Sequence, residues 1–313
     1  MALVPLKIPP GVSRVGTQYE TRGRWFDTNH VRWIDGSLHP IGGYQLVGNV
    51  QVGAVVFTGR VRNLHAWATN SGGRWLAVAS SRYVWVSRGD GSYTQIADIG
   101  TQYDDAFEQL GYGGGLYGTS LYGRSRPGGS FIPPTVWHLD NWGEHLIYNA
   151  NTDGRIFEWS PTIGHTQVAN SPSQCRGVVV SDQRHLIAFT PGGNRRRVQW
   201  SGKENNTVWT AASTNEAGSF EFATSGDFRK AVRVRGEILV LFSTDAHAMS
   251  YIGQPFIFSR RRVGTGCGIV GPNAVAVDGN GRAVWMGANK FWMYDGGSVQ
   301  ALNCEVGDFV FKQ

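Results

Sequence analysis

The chain has 313 residues, with 41% hydrophobic and 12% aromatic content. That is enough apolar material for a sizeable folded core and excludes a disordered chain. The net charge of +6 is carried by 29 basic against 23 acidic residues, 24 of the basic ones arginine. Arginine suits planar contact with phosphate or carboxylate, so a nucleic-acid neighbour is permitted. A surplus this modest and this dispersed does not demand one. Glycine (43) and tryptophan (12) are both abundant, a composition that favours short strands, tight turns and large packing surfaces.

The opening "MALVPLKIPPGVSR" lacks the continuous apolar segment of a signal peptide, and no run reaches the length of a membrane span. Residues 1–22 read as an N-terminal arm, and residues 23–313 as one β-rich domain. Within that domain, "GRWFDTNHVRWIDGSLHPIGGY" (23–44) has strand character. Its "VRWIDGSLHPI" lies over "FWMYDGGSVQAL" near the C-terminus. The pairing predicts that 23–44 supplies strands that complete the terminal sheet.

Next comes "GRWLAVASSRYVWVSRGDGSYTQIA" (73–97): strand, turn, strand, "GDG" turn, strand. The stretch "DDAFEQLGYG" is one of the few with spacing for a helical turn or two. It leads into "GYGGGLYGTSLYGRSR" (111–126), where Tyr112, Tyr117 and Tyr122 recur every five residues. The region 101–134 reads as an insertion between two repeats. Five-residue spacing fits neither one face of a helix nor one face of a strand. The glycines allow close backbone approach and the tyrosines provide rigid contact area, so the segment is expected to grip a partner. A plain flexible surface loop is the competing reading.

The strand rhythm returns at 143–169, more loosely at 184–202 and 236–254, and again at 278–302. Starting points near Trp75, His145, His185, Ile238 and Ala283 are 70, 40, 53 and 45 residues apart. Apart from the first gap, which holds the insertion, this is the period of four-stranded propeller blades. The expected fold is all-β, a propeller of five or six sheet units, with a β-sandwich as the alternative. Trp75, Trp85, Trp142, Trp159, Trp285 and Trp292 fall in or beside these strands and are expected to be buried between sheets.

No catalytic set emerges. Asp104 and Asp105 are adjacent and point apart in extended chain. His65, His138 and His185 are isolated, as structural or surface groups would be. "GTSLYG" lacks nucleophile-elbow spacing, and "GYGGGLYG" has no P-loop lysine. Cys175, Cys267 and Cys304 lack zinc-site spacing and read as free thiols in a reducing compartment. Asp27, Asp90, Asp153 and Asp295 recur in or beside turns, where turn formation explains them. No metal, no cofactor and no enzymatic activity are expected. Three arginine groups stand apart: Arg124 with Arg126, Arg195–Arg196–Arg197 and Arg260–Arg261–Arg262. They read either as solvated edges or as a rim facing phosphate or a neighbouring subunit.

The segment "LKIPPGVSRVGTQYETRGRWFDTNHVRWIDGSLHPIGGY" resembles the opening of the tail nozzle or hub proteins of short-tailed bacteriophages. "VWHLDNWGEHLIYNANTDGRIFEW", "WTAASTNEAGSF" and the Gly-Tyr loop are similar to later stretches of the same proteins. The resemblance spans nearly the whole chain and rests on structural motifs. It implies a virion protein assembled in the host cytoplasm into a homo-oligomeric ring, a hexamer, at the phage tail. Such a ring sits below the portal and adaptor, closes the DNA exit channel and carries tail fibres or spikes. Contact with packaged DNA would be non-specific, and no membrane insertion is implied. Two other readings stand beside it: a carbohydrate-binding propeller of a tail appendage and a secreted propeller hydrolase.

Overall fold

The computed structural model describes residues 8–43, 57–90, 92–100, 103–105, 107–108 and 131–312. Five antiparallel four-stranded sheets follow one another along the chain, each built from four consecutive strands. The first comprises Val61–Ala68, Arg74–Ser80, Tyr83–Ser87 and Thr94–Asp98, and the second Trp137–Trp142, His145–Ala150, Ile156–Ser160 and Gly164–Gln167. The third comprises Gly177–Val180, Leu186–Phe189, Arg197–Trp200 and Gly218–Glu221. The fourth comprises Phe228–Val234, Glu237–Phe242, Asp245–Gly253 and Ile257–Thr265. The fifth comprises Val275–Val277, Ala283–Met286, Phe291–Tyr294 and Val299–Leu302.

The first strands of consecutive sheets approach one another in chain order, from the first sheet to the fifth. Up-and-down sheets packed radially by their first strands make a β-propeller. The five repeat origins read from sequence, at Trp75, His145, His185, Ile238 and Ala283, all fall in or next to the second strand of a sheet.

Four buried clusters fill the spaces between neighbouring sheets. Trp67, Ala77, Trp137, Leu146 and Trp159 lie between the first and second, and Trp142, Ile147, Val180 and Leu186 between the second and third. Ile187, Phe189, Trp200 and Phe242 lie between the third and fourth. Leu239, Leu241, Trp285 and Tyr294 lie between the fourth and fifth. Among the described residues, no such cluster joins the fifth sheet to the first. Alternation explains the pattern: every second residue of a strand reaches the same inter-sheet space.

Indole N–H groups stitch these layers. Trp137 donates to the Ser80 carbonyl, and Trp285 Nε1 to the Cys267 carbonyl at 2.7 Å. Gly268 marks a contact too tight for any side chain, because a Cβ there would lie 1.9 Å from the Ser243 carbonyl oxygen. Four of the six expected tryptophans are buried: Trp85, Trp142, Trp159 and Trp285. Trp75 and Trp292 are only half-buried.

Two expectations are corrected. Residues 23–44 do not complete a sheet: Val31–Ile34 and Ser37–Pro40 form a separate two-stranded hairpin. The turn explains why the two sequences looked alike. Asp35 and Gly36 have φ of 50° and 78°, the backbone a tight hairpin requires. "DG" therefore encodes a hairpin, without encoding which sheet it joins. Instead of extending a sheet, the N-terminal arm reaches the C-terminal segment. Arg14 N donates to the Glu305 carbonyl, Arg24 pairs with Glu305, and the Arg14 guanidinium lies 4.1 Å from the Phe309 ring centre.

The second correction concerns the expected helical turns near 104–113, where Phe107–Glu108 pair in antiparallel fashion with Phe131–Ile132. This short ladder holds the two ends of the insertion together, so the chain leaves and re-enters at one place. Asp104 and Asp105 engage two different groups of Arg60. Asp104 accepts from the Arg60 backbone N–H, and Asp105 pairs with the Arg60 guanidinium at 2.7 Å.

Candidate functional site: a cleft between the first two sheets

Tyr112, Tyr117, Tyr122, Arg124 and Arg126 lie outside the described residues. The two remaining arginine runs are described, and their charges are largely met from within the chain. Arg195 pairs with Asp227 at 2.8 Å and Arg196 with Glu221 at 3.5 Å, while Arg197 donates to Ser219. Arg261 pairs with Glu237 at 3.0 Å, and Arg262 lies 3.6 Å from Asp245. Arg260 stacks over Phe220. Arg195 and Arg196 sit in a turn and Arg197 opens the third strand of the third sheet, while the second run lies within the outermost strand of the fourth sheet. Neither adds an unopposed block of positive charge to a rim.

The histidines singled out from sequence are structural. His138 is fully buried, and burial followed by the nearby Lys230 charge holds its pKa well below the ordinary imidazole value. His185 is buried and hydrogen-bonds the Ser201 carbonyl at 2.9 Å. His65 bonds Asn141 at 2.6 Å between the first two sheets. Near the propeller axis, Asp140 accepts from Val180 N at 2.7 Å and from Arg233 at 2.9 Å, joining three sheets. The recurring aspartates serve turns and ion pairs: Asp90 accepts from Ser92, Asp295 from Gly297, Asp153 pairs with Arg155, and Asp27 with Arg14. Cys175 and Cys267 are buried free thiols, pushed by burial up to about 12 and about 11. Cys304 is free and half-buried.

Sequence reasoning missed a cleft of about 440 Å³ between the first and second sheets. In an up-and-down sheet, the turns after the first and third strands emerge at the same end. At that end, Thr69–Gly73 of the first sheet meets Gly143–Glu144 and Pro161–Thr162 of the second. The Thr69 turn is tightly made: Thr69 N donates to Gly73 O at 2.8 Å and Gly73 N to Thr69 Oγ1 at 3.0 Å. Gly72 has φ +83°, and a Cβ on Gly73 would lie 2.9 Å from Thr69 Oγ1. Across the gap, Glu144 accepts from Asn70 N at 2.5 Å, and its carbonyl accepts from Trp67 Nε1 at 3.1 Å.

Trp75 forms the aromatic wall. It packs edge-on against Trp159 (5.1 Å between ring centres) and roughly parallel to Trp67 (6.2 Å). The Arg88 guanidinium lies 4.7 Å from its ring centre. Arg74 and Arg88 both line the cleft, and neither forms an ion pair among the described residues. His145 Nδ1 lies 2.5 Å from Glu158 Oε1, and Glu158 Oε2 accepts from Asn206 at 2.8 Å. An adjoining hollow of about 300 Å³ shares Glu144 and His145 and continues to Trp142, where Arg184 stacks at 5.3 Å. The combined lining offers an aromatic plane, guanidinium donors, carboxylate acceptors and hydroxyls. Among the described residues, no group of three or more His, Cys, Asp or Glu could hold a metal ion.

No family model matches the chain, and no curated protein matches it. Several solved structures are similar in shape at low identity. The extracellular domain of the hybrid two-component system BT4673 from B. thetaiotaomicron is 10% identical with a TM-score of 0.38. The match covers 78% of this chain and 33% of that one, so the chain spans about a third of its length. A gluconolactonase from Xanthomonas campestris is 10% identical with a TM-score of 0.42, covering 77% of this chain and 76% of that one. Virginiamycin B lyase from Staphylococcus aureus is 10% identical with a TM-score of 0.38, covering 80% and 87%. The propeller assignment stands on the strand pairing and not on these likenesses.

Proposed function

We propose that this chain is a structural subunit of the tail of a short-tailed bacteriophage. It forms one copy of a homo-oligomeric nozzle or hub ring, a hexamer, below the portal and adaptor. In this reading the ring closes the DNA exit channel and carries fibres or spikes, and the chain performs no catalysis of its own.

The observation that carries the proposal is the N-terminal hairpin. The stretch with the strongest resemblance to nozzle proteins stands outside the five sheets, tethered through the arm to the C-terminal segment. Three apolar side chains in or just after the hairpin are uncovered: Ile34, Leu38 and Ile41 are each more than 40% exposed, while Val31 and Trp33 are half-buried. Exposed apolar groups on a hairpin that joins none of the five sheets, Ile34 on one face of the ribbon and Leu38 on the other, suit a contact with a neighbouring subunit. The base ladder of the insertion lies at the end of the propeller opposite the cleft. Because the described arginine runs are paired internally, contact with packaged DNA is not what this reading rests on.

Light scattering on the purified protein tests the proposal. Wild type should form a closed oligomer, and replacing Ile34, Leu38 and Ile41 together by serine should yield folded monomers. An unchanged oligomer in that variant would remove the hairpin from the contact and refute the reading. The carbohydrate-binding alternative draws on a different observation, the Trp75 cleft.

A further inference from the structure

We infer that the cleft between the first and second sheets is a saccharide-binding site selective for a sugar bearing one carboxylate. The site is separate from ring assembly as proposed above, since its residues lie at the end of the propeller opposite the Phe107–Glu108/Phe131–Ile132 ladder.

Three features of the lining set the ligand class. First, Trp75 is only half-buried although its strand belongs to a packed sheet. Trp67 and Trp159 brace it from behind and from the side, so the indole is a fixed plane at a cleft wall. A pyranose presents flat C–H faces that stack on such a plane, and fixing the plane beforehand reduces the entropy lost on binding. Second, the polar groups come in both senses. Glu144 accepts, Arg74 and Arg88 donate, and the Ser71 and Thr162 hydroxyls do either. Vicinal sugar hydroxyls are both donors and acceptors and need this mixture. Third, the charge is nearly balanced. Across the cleft and its adjoining hollow, Arg74, Arg88 and Arg184 face Glu144 and Glu158. Glu158 is already engaged by His145 and Asn206. A surplus of one positive charge answers a single carboxylate. A polyphosphate strand would need several unopposed cations, and the two carboxylates would repel it.

Arg88 has a specific role in this scheme. Its guanidinium rests over the Trp75 ring, held by attraction to the ring face, and would swing from that face to the sugar carboxylate when a pyranose stacks there. A planar guanidinium matches a carboxylate bidentately, and among the described residues neither Arg88 nor Arg74 forms a direct ion pair, Asp90 acting on Arg88 only through its nearby charge. Glu144 is oriented in advance by the Asn70 N–H, so it presents its free oxygen without rearrangement.

The test is titration of the full chain, followed by tryptophan fluorescence and by ligand-observed NMR. The probes are cellobiouronic acid, digalacturonic acid and sialyllactose, with cellobiose, the methyl ester of cellobiouronic acid and a thymidine pentanucleotide as controls. At least one acidic sugar should bind, with about tenfold weaker binding of its neutral counterpart. Arg88→Gln should abolish that preference, and Glu144→Gln should weaken acidic and neutral sugars alike. Both residues are peripheral to the core, and an unchanged melting curve would establish that each variant is folded. Trp75→Ala should abolish all binding, and Trp75→Phe should restore part of it. Failure of all three acidic sugars to bind, or a preference for the pentanucleotide abolished by Arg88→Gln, would overturn the assignment. Ring formation should be unaffected by Arg88→Gln, so loss of saccharide binding and loss of assembly are separate results.

Discussion

Trp285 offers the sharpest test of how the sheets are held together. It is 1% exposed between the fourth and fifth sheets, packed with Leu239, Leu241 and Tyr294, and its Nε1 donates to the Cys267 carbonyl at 2.7 Å. Trp285→Ala removes the ring and leaves that carbonyl without its donor. Truncating a buried tryptophan costs about 3–5 kcal/mol. Unfolding entropy near the midpoint is about 2.1 cal/mol/K per residue. Over 313 residues unfolding as one unit, this gives roughly 0.66 kcal/mol/K. A loss of about 4 kcal/mol should therefore lower Tm by about 6 °C. Trp285→Phe keeps much of the apolar contact and loses the donor, a cost of about 1–3 kcal/mol, so its Tm should fall by roughly 1.5–4.5 °C. Tyr19→Ala, at a side chain 78% exposed, should stay within about 1 °C of wild type. Calorimetry at fixed pH and protein concentration reads all three. If Trp285→Ala melted with the wild type, the radial packing of the fourth and fifth sheets would be refuted.

Two further outcomes follow from the buried titrating groups. His138 stays neutral in the folded protein because burial holds its pKa far below the unfolded value of about 6.5. Unfolded chain then binds more protons below that value, so stability present above about pH 6.5 should decline as the pH falls through it. His165 and His247 are lowered too, chiefly by burial, and act in the same direction. Melting between about pH 8 and pH 5 should show the decline, and His138→Gln should flatten it; an equally steep slope in the variant would contradict the assignment. For the thiols, an aromatic disulfide reagent at about pH 8 should label Cys304 in the native state and all three cysteines only in denaturant. Rapid native labelling of Cys175 or Cys267 would show that their burial is wrong.

Most of the architecture was legible because each second strand is a short apolar run that opens after a tight turn. "HLIYNA", "LIAF" and "EILVLF" announce themselves in this way. The first strands were harder to see, since they run beside the axis and carry polar groups there. Asn63, His65, Asp140 and Arg233 interrupt the alternation and form the bonds that tie sheets together. The misplaced N-terminal hairpin shows the limit of local grammar. A turn sequence specifies that two strands pair, whereas the neighbour of that pair depends on surfaces far away in sequence. The cleft was invisible for a related reason. Its wall, donors and acceptors come from four separate turns and strand ends between Thr69 and Thr162, and Trp75 carries the same strand signal as the buried tryptophans. Only its half-exposed position distinguishes it.

The proposed role as a ring-forming tail subunit is tested most directly by electron microscopy of the purified full chain at micromolar concentration. The account predicts closed rings of uniform subunit number, each subunit a propeller, with the particles reduced to single propellers by the triple serine substitution at Ile34, Leu38 and Ile41. Wild-type protein present only as isolated propellers, with a mass near the 34.3 kDa of one chain, would contradict it.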